Sequence, residues 1–192
     1  MHYLTLEDFQ IICTVLTDFF KKVKDPPPNY QHSYFDKVDS VISIPQKTFD
    51  SRDLYPTLFE KAACYLYFIN KLHPFNNGNK RISIVATGVF LRYNKYELDV
   101  SEEMLYQFAK AVTQDHQEQK KEFGIVVSFI QKHSKKTDGR RFPDLLSWIQ
   151  YIFRNATINN FTPLRKNRKK REINGSWNQF RMTRYYETSI FS

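Results

Sequence analysis

Apolar residues return at three- and four-residue intervals over most of the first 133 positions, and that period predicts a chain built from helices. Phe9, Ile12, Cys13, Leu16, Phe19, Phe20 and Val23 mark one amphipathic helix over residues 5–24. Thr5 suits its N-cap, and Glu7 and Asp8 suit its first turn. The run Asp25-Pro26-Pro27-Pro28-Asn29 stops it, because proline lacks the N–H and clashes with the preceding turn. Residues 30–54 carry Val38, Val41, Ile42, Ile44 and Phe49 around Pro45. That composition predicts short extended pieces or a hairpin rather than a long helix. Tyr55-Pro56 opens a second helix, with Pro56 in its first turn and a stripe of Phe59, Ala62, Ala63, Leu66, Ile69 and Leu72. The pattern breaks at His73-Pro74 and resumes near residue 79 with Ile82, Val85, Ala86, Val89 and Phe90, ending at Tyr93-Asn94. Ser101 caps the next helix (Met104, Leu105, Phe108, Ala111, Val112), with Glu102 and Glu103 in its first turn. Residues 118–133 give another through Phe123, Val126, Val127 and Ile130. Thr137-Asp138-Gly139 reads as a turn and residues 142–153 as a last helix. The fold class is mainly α, with short helices joined by tight connections.

Composition narrows the picture. The chain has 192 residues, the size of one domain with an appendage, and its 17 Phe and 12 Tyr supply a packed core. No run approaches the roughly 20 apolar residues of a membrane span. The start, Met1-His2-Tyr3-Leu4-Thr5, lacks the basic-then-apolar plan of a signal peptide. Two cysteines, Cys13 and Cys64, make no disulfide framework, and both sit on apolar stripes. A soluble cytoplasmic protein is expected, with no membrane partner. The net charge of +9 would suggest a basic surface, but it is unevenly distributed. Residues 161–192 hold 8 basic and 2 acidic side chains, so two thirds of the excess lies in the last sixth. This divides the chain into a body over residues 1–136 and a C-terminal helix with a basic extension over residues 137–192.

One stretch carries chemistry: His73-Pro74-Phe75-Asn76-Asn77-Gly78-Asn79-Lys80-Arg81. It lies between two helices, bracketed by Pro74 and Gly78. Gly78 allows a ligand close to the backbone. The helix that follows offers unpaired N–H groups and a partial positive charge at its start, an anion cradle. Asn79, Lys80 and Arg81 add an amide donor and two cations. A polyphosphate is the natural occupant. His73, with an ordinary pKa near 6.5, is suited to take a proton from a hydroxyl.

The motif His73-Pro74-Phe75-x-x-Gly78-Asn79-x-Arg81 resembles the signature of the Fic/Doc (Fido) family, His-Pro-Phe-x-(Asp/Glu)-Gly-Asn-(Gly/Lys)-Arg. Leu4-Thr5-Leu6-Glu7-Asp8, Tyr55-Pro56-Thr57, Glu60-Lys61-Ala62-Ala63, Phe90-Leu91-x-x-Asn94 and Tyr96-Glu97-Leu98-Asp99 are similar to its death-on-curing (Doc) branch, as is Lys80 at the variable position. The likeness covers about residues 1–115. It implies a compact helical bundle with a short β-hairpin flap, formed by the extended region from Val38 to Phe49, that aligns a target segment. It implies a toxin that transfers phosphate or AMP from a nucleotide, ATP in most members, to a hydroxyl of a target protein such as a translation factor. His73 would be the general base, with Arg81 also catalytic, and Phe75 would pack inward. Asn76, Gly78, Asn79, Lys80 and Arg81 would hold the nucleotide. One position departs from the pattern: Asn77 stands where the family has the acidic ligand of Mg²⁺, so metal binding is expected to persist in weakened form. The family's inhibitory motif (Ser/Thr)-x-x-x-Glu-(Gly/Asn) does not occur, which implies restraint by a separate small antitoxin.

The tail supports a second class of function. Residues 164–171 contain six cations in eight positions, and Phe180, Tyr185 and Tyr186 alternate with Arg181 and Arg184. Such a segment can neutralise phosphates and stack bases. The rival reading is therefore a catalytically weak Fic-like binding protein whose residues 164–186 hold nucleic acid or the ribosome.

Overall fold

Helices α3 (Leu58–Leu72) and α4 (Asn79–Tyr93) form the centre of the computed structural model, which describes residues 1–20, 30, 34–114 and 118–137. The outer elements are α1 (Leu6–Phe20), α2 (Phe35–Ser43), a hairpin of β1 (Thr48–Phe49) and β2 (Arg52–Asp53), β3 (Tyr96–Leu98), α5 (Glu102–Gln114), α6 (Gln119–Lys132) and β4 (Ser134–Lys136). Every residue from Arg81 to Leu91 is buried, so α4 shows little amphipathicity and is enclosed by α1, α3, α5 and β3. α3 packs in turn against α2, α5 and α6. Among the described residues no helix is long and apolar enough to cross a membrane.

The helix starts follow local chemistry. The Thr5 hydroxyl accepts the Asp8 N–H at 3.3 Å, and the Asp8 carboxylate accepts the Thr5 N–H at 2.7 Å. α3 has the same reciprocal arrangement between Thr57 and Glu60. Thr57 rather than the proline therefore caps α3, and Pro56 lies before the cap instead of in the first turn. The Ser101 hydroxyl accepts the Met104 N–H at the start of α5.

The region read as extended contains a helix. Val38 and Val41, three residues apart, form the buried face of α2. Their β-branched side chains suggested strand, but packing on α3 decided the conformation. The hairpin survives in a smaller form over Thr48–Asp53. Its turn residues Asp50 and Ser51 both have positive φ, 48° and 60°, the backbone twist that a two-residue hairpin loop requires. The sequence reading also missed the antiparallel pair β3–β4, in which Tyr96 faces Lys136 and Leu98 faces Ser134. The expected helix over residues 142–153 and the basic extension lie outside the described residues, as do residues 21–29.

Buried polar groups tie the layers together. Lys61, 2% exposed, donates to the Pro45 carbonyl and to the Asp53 carboxylate, each at 2.9 Å, and so pins the hairpin to α3. Burial alone would depress its ammonium, but hydrogen bonds to Asp53 and Tyr3 raise it above the ordinary lysine value. Glu122 of α6 accepts from the Tyr67 hydroxyl at 2.7 Å and pairs with Lys71 at 2.8 Å, joining α6 to α3. Asn70, fully buried, donates to the Leu66 carbonyl and to the Ser83 hydroxyl, and accepts from Thr113, linking α3, α4 and α5. Cys13 and Cys64 are buried, and burial pushes the Cys13 thiol up to about 12 and the Cys64 thiol still further up. They are core residues without thiolate reactivity.

Gly124 lies inside α6, and a methyl group added there would meet no atom within 4 Å. Replacing it by alanine removes a glycine from a helix interior without crowding, so Gly124→Ala is expected to stabilise the fold by about 1 kcal/mol. The measurement is urea unfolding: the midpoint should rise with an unchanged slope, and an unchanged or lower midpoint contradicts the expectation.

Candidate functional site

The site is the connection between α3 and α4. α3 ends where His73 turns into the left-handed region, φ 48° and ψ 62°, with its N–H still donating to the Ile69 carbonyl. Pro74 follows and cannot extend the helix. This end rotates the His73 side chain off the helix axis and leaves it exposed beside the loop. A left-handed conformation at a residue other than glycine is unfavourable by itself and persists only where the surroundings fix it.

The surroundings are a closed ring of contacts. Phe75 is 1% exposed and stacks against Phe9 of α1 with centroids 6.3 Å apart, the inward packing expected of it. The Asn79 side chain grips the Phe75 backbone from both sides. Its Oδ1 accepts the Phe75 N–H at 3.0 Å and its Nδ2 donates to the Phe75 carbonyl at 2.6 Å. The amide of Asn79 thus shapes the loop, a task its place in the sequence pattern did not disclose. Gly78 has φ 77° and forms the cap of α4, a conformation that favours glycine. Its N–H donates to Asn77 Oδ1 at 2.6 Å.

The candidate residues separate by exposure. His73 and Asn76 are exposed, Asn77, Gly78 and Lys80 half-buried, Asn79 and Arg81 buried. The Arg81 guanidinium lies over the Phe20 ring at the end of α1, 4.7 Å from its centroid. The open face of the loop therefore holds His73 and Asn76, with Gly78 and Lys80 half-buried beside them.

α2 contributes a residue that the sequence reading did not single out. The Tyr34 N–H donates to the Pro74 carbonyl at 2.8 Å, so the start of α2 is fastened to the loop. Lys37, in the first turn of α2, holds its ammonium over the Tyr34 ring at 4.9 Å. Lys37 lies 36 positions before His73, and no spacing signals its place next to the loop. Partial desolvation, then the charges of Lys80 and Lys37, lower the His73 pKa below its ordinary value. This shift favours the neutral form, the one in which a histidine accepts a proton.

The loop does not fit a divalent cation held by protein carboxylates. Asn77 brings no charge, and its Oδ1 already accepts the Gly78 N–H. Among the described residues no group of three His, Cys, Asp or Glu side chains could hold a metal ion.

Comparison with known proteins agrees with this geometry. Residues 3–91 match the model of the Fic/DOC family, a span that includes α1 to α3, the whole loop and most of α4. The chain is similar to the Toxin Doc of Mycolicibacterium smegmatis, with 36% identity over 61 residues, 32% of this chain and 47% of that relative. The match therefore spans about half of the relative's length. No solved structure matches the chain.

Proposed function

We propose that the chain, whose residues 3–91 match the model of the Fic/DOC family, is a toxin of Doc type that transfers phosphate or AMP from ATP to a hydroxyl of a target protein. The observation that carries this reading is the juxtaposition on one loop of an exposed histidine whose neutral form is favoured and a helix N-terminus with Lys80 in its first turn. In the reaction the target hydroxyl approaches His73, which takes its proton as the oxygen attacks phosphorus. The bond from phosphorus to the departing group breaks, releasing ADP if phosphate moves and pyrophosphate if AMP moves. The first-turn N–H groups of α4 and Lys80 hold the negative charge of the phosphates through the transfer. Phe75 and Asn79 keep the loop in the shape that makes this possible. No step is assigned to Mg²⁺, which would arrive with the nucleotide rather than on a carboxylate of this loop.

The test uses the full chain, a bacterial lysate and ATP labelled at either the α or the γ phosphorus. Label reaching a protein from the γ position alone identifies phosphate transfer, and label from the α position identifies AMP transfer. Absence of label on any protein from both nucleotides overturns the proposal. A toxin of this kind also calls for a restraining partner. A small antitoxin protein is its natural form, to be sought as a co-expressed protein that abolishes the labelling.

A further inference from the structure

Lys37 on α2, whose start is fastened to the loop, and Lys80 on α4 both act on His73 through their charges, and neither forms an ion pair among the described residues. Two solvent-accessible cations beside one loop raise the local positive potential and so favour an anion there. The acidic side chains on α2 do not neutralise this cluster: Asp36 and Asp39 belong to the same helix, yet neither pairs with Lys37. The Tyr34 N–H holds the start of α2 on the Pro74 carbonyl, and the Lys37 ammonium lies over the Tyr34 ring, which places this cation on the loop's side of α2. The same loop lacks a carboxylate for a metal, and its Asn77 oxygen is engaged by Gly78.

Building on the nucleotide-transfer reading above, we propose that Lys37 is a phosphate-contacting residue which, with Lys80, supplies the positive charge that a protein-held divalent cation would otherwise bring to the nucleotide. An ammonium is a compact point charge with three donors on a flexible stem, so it can follow a phosphate without demanding one geometry. Nucleotide binding should then be tolerant of metal removal and sensitive to salt.

Titration of the purified full chain with ATP, once with Mg²⁺ and once with EDTA, tests this. Native protein is expected to bind ATP in EDTA within about threefold of its affinity in Mg²⁺, as befits a site whose cations are its own side chains. Lys37→Gln should weaken ATP binding in EDTA about five- to tenfold, Lys37→Arg should restore most of it, and Lys110→Gln on α5 should change nothing. Adenosine, which has no phosphate, should bind native and Lys37→Gln protein alike. ATP binding by Lys37→Gln within twofold of native, or an equal loss for adenosine, overturns the role of Lys37 and leaves the transfer reading intact. So does native protein that binds ATP only with Mg²⁺. Folded native protein that binds ATP in neither buffer overturns both readings.

Discussion

His73→Ala is expected to reduce label transfer to the target protein by about 10²- to 10⁴-fold, the contribution of a positioned general base. The side chain is exposed at the end of α3, so its loss should leave the unfolding midpoint nearly unchanged. Retained midpoint with lost transfer is the combination that separates a chemical role from a structural one. The native enzyme supplies a second readout. The base acts in its neutral form, so transfer should rise with pH through the His73 pKa and then level off. Desolvation, Lys80 and Lys37 lower that pKa, so the midpoint of the rise should lie below the ordinary histidine value of about 6.5. A rise centred above pH 7, or a His73→Ala protein as active as native, contradicts the assignment.

Phe75→Ala should have the largest effect on stability, about 3–5 kcal/mol, because it removes a fully buried ring from the junction of α1 with the loop. Urea unfolding of the native and variant chains gives the difference directly. Transfer should fall too, since the backbone of Phe75 is what Asn79 holds. The stacked partner makes the origin of the loss testable. Phe9→Ala and Phe75→Ala share one contact, so their combined cost should be smaller than the sum of the single costs. Phe75→Leu, which keeps much of the volume, should recover more than half of the lost stability. Strict additivity in the double variant would place the effect elsewhere.

Much of this site was legible before any coordinates. Pro74 after a periodic apolar stripe announces the end of α3, and Gly78 ahead of the next stripe announces the start of α4, since both residues act through backbone sterics that need no tertiary context. The buried side of Phe75 follows from its place in the motif. The role of Asn79 was not legible: as a member of a polar string it reads as a donor facing outward, and only the folded loop turns both ends of its amide onto Phe75. Lys37 was hidden for a different reason. It stands in a region whose β-branched residues read as strand, and a strand would point successive side chains to opposite faces. In the helix that forms, Val38 and Val41 face the core and Lys37 stays exposed in the first turn.

The sequence by itself determined most of the helices, the caps at Thr5 and Ser101, and the loop that carries His73, because each depends on interactions between residues a few positions apart. Tertiary structure alone decided that Val38 to Ser43 is helical, that Tyr96–Leu98 pairs with Ser134–Lys136, that Lys61 anchors the hairpin, and that the start of α2, with Lys37, is fastened to the loop. These are contacts between distant segments. Their free energy comes from burial and from pairing charges in the folded chain, and a window of neighbouring residues carries no record of it.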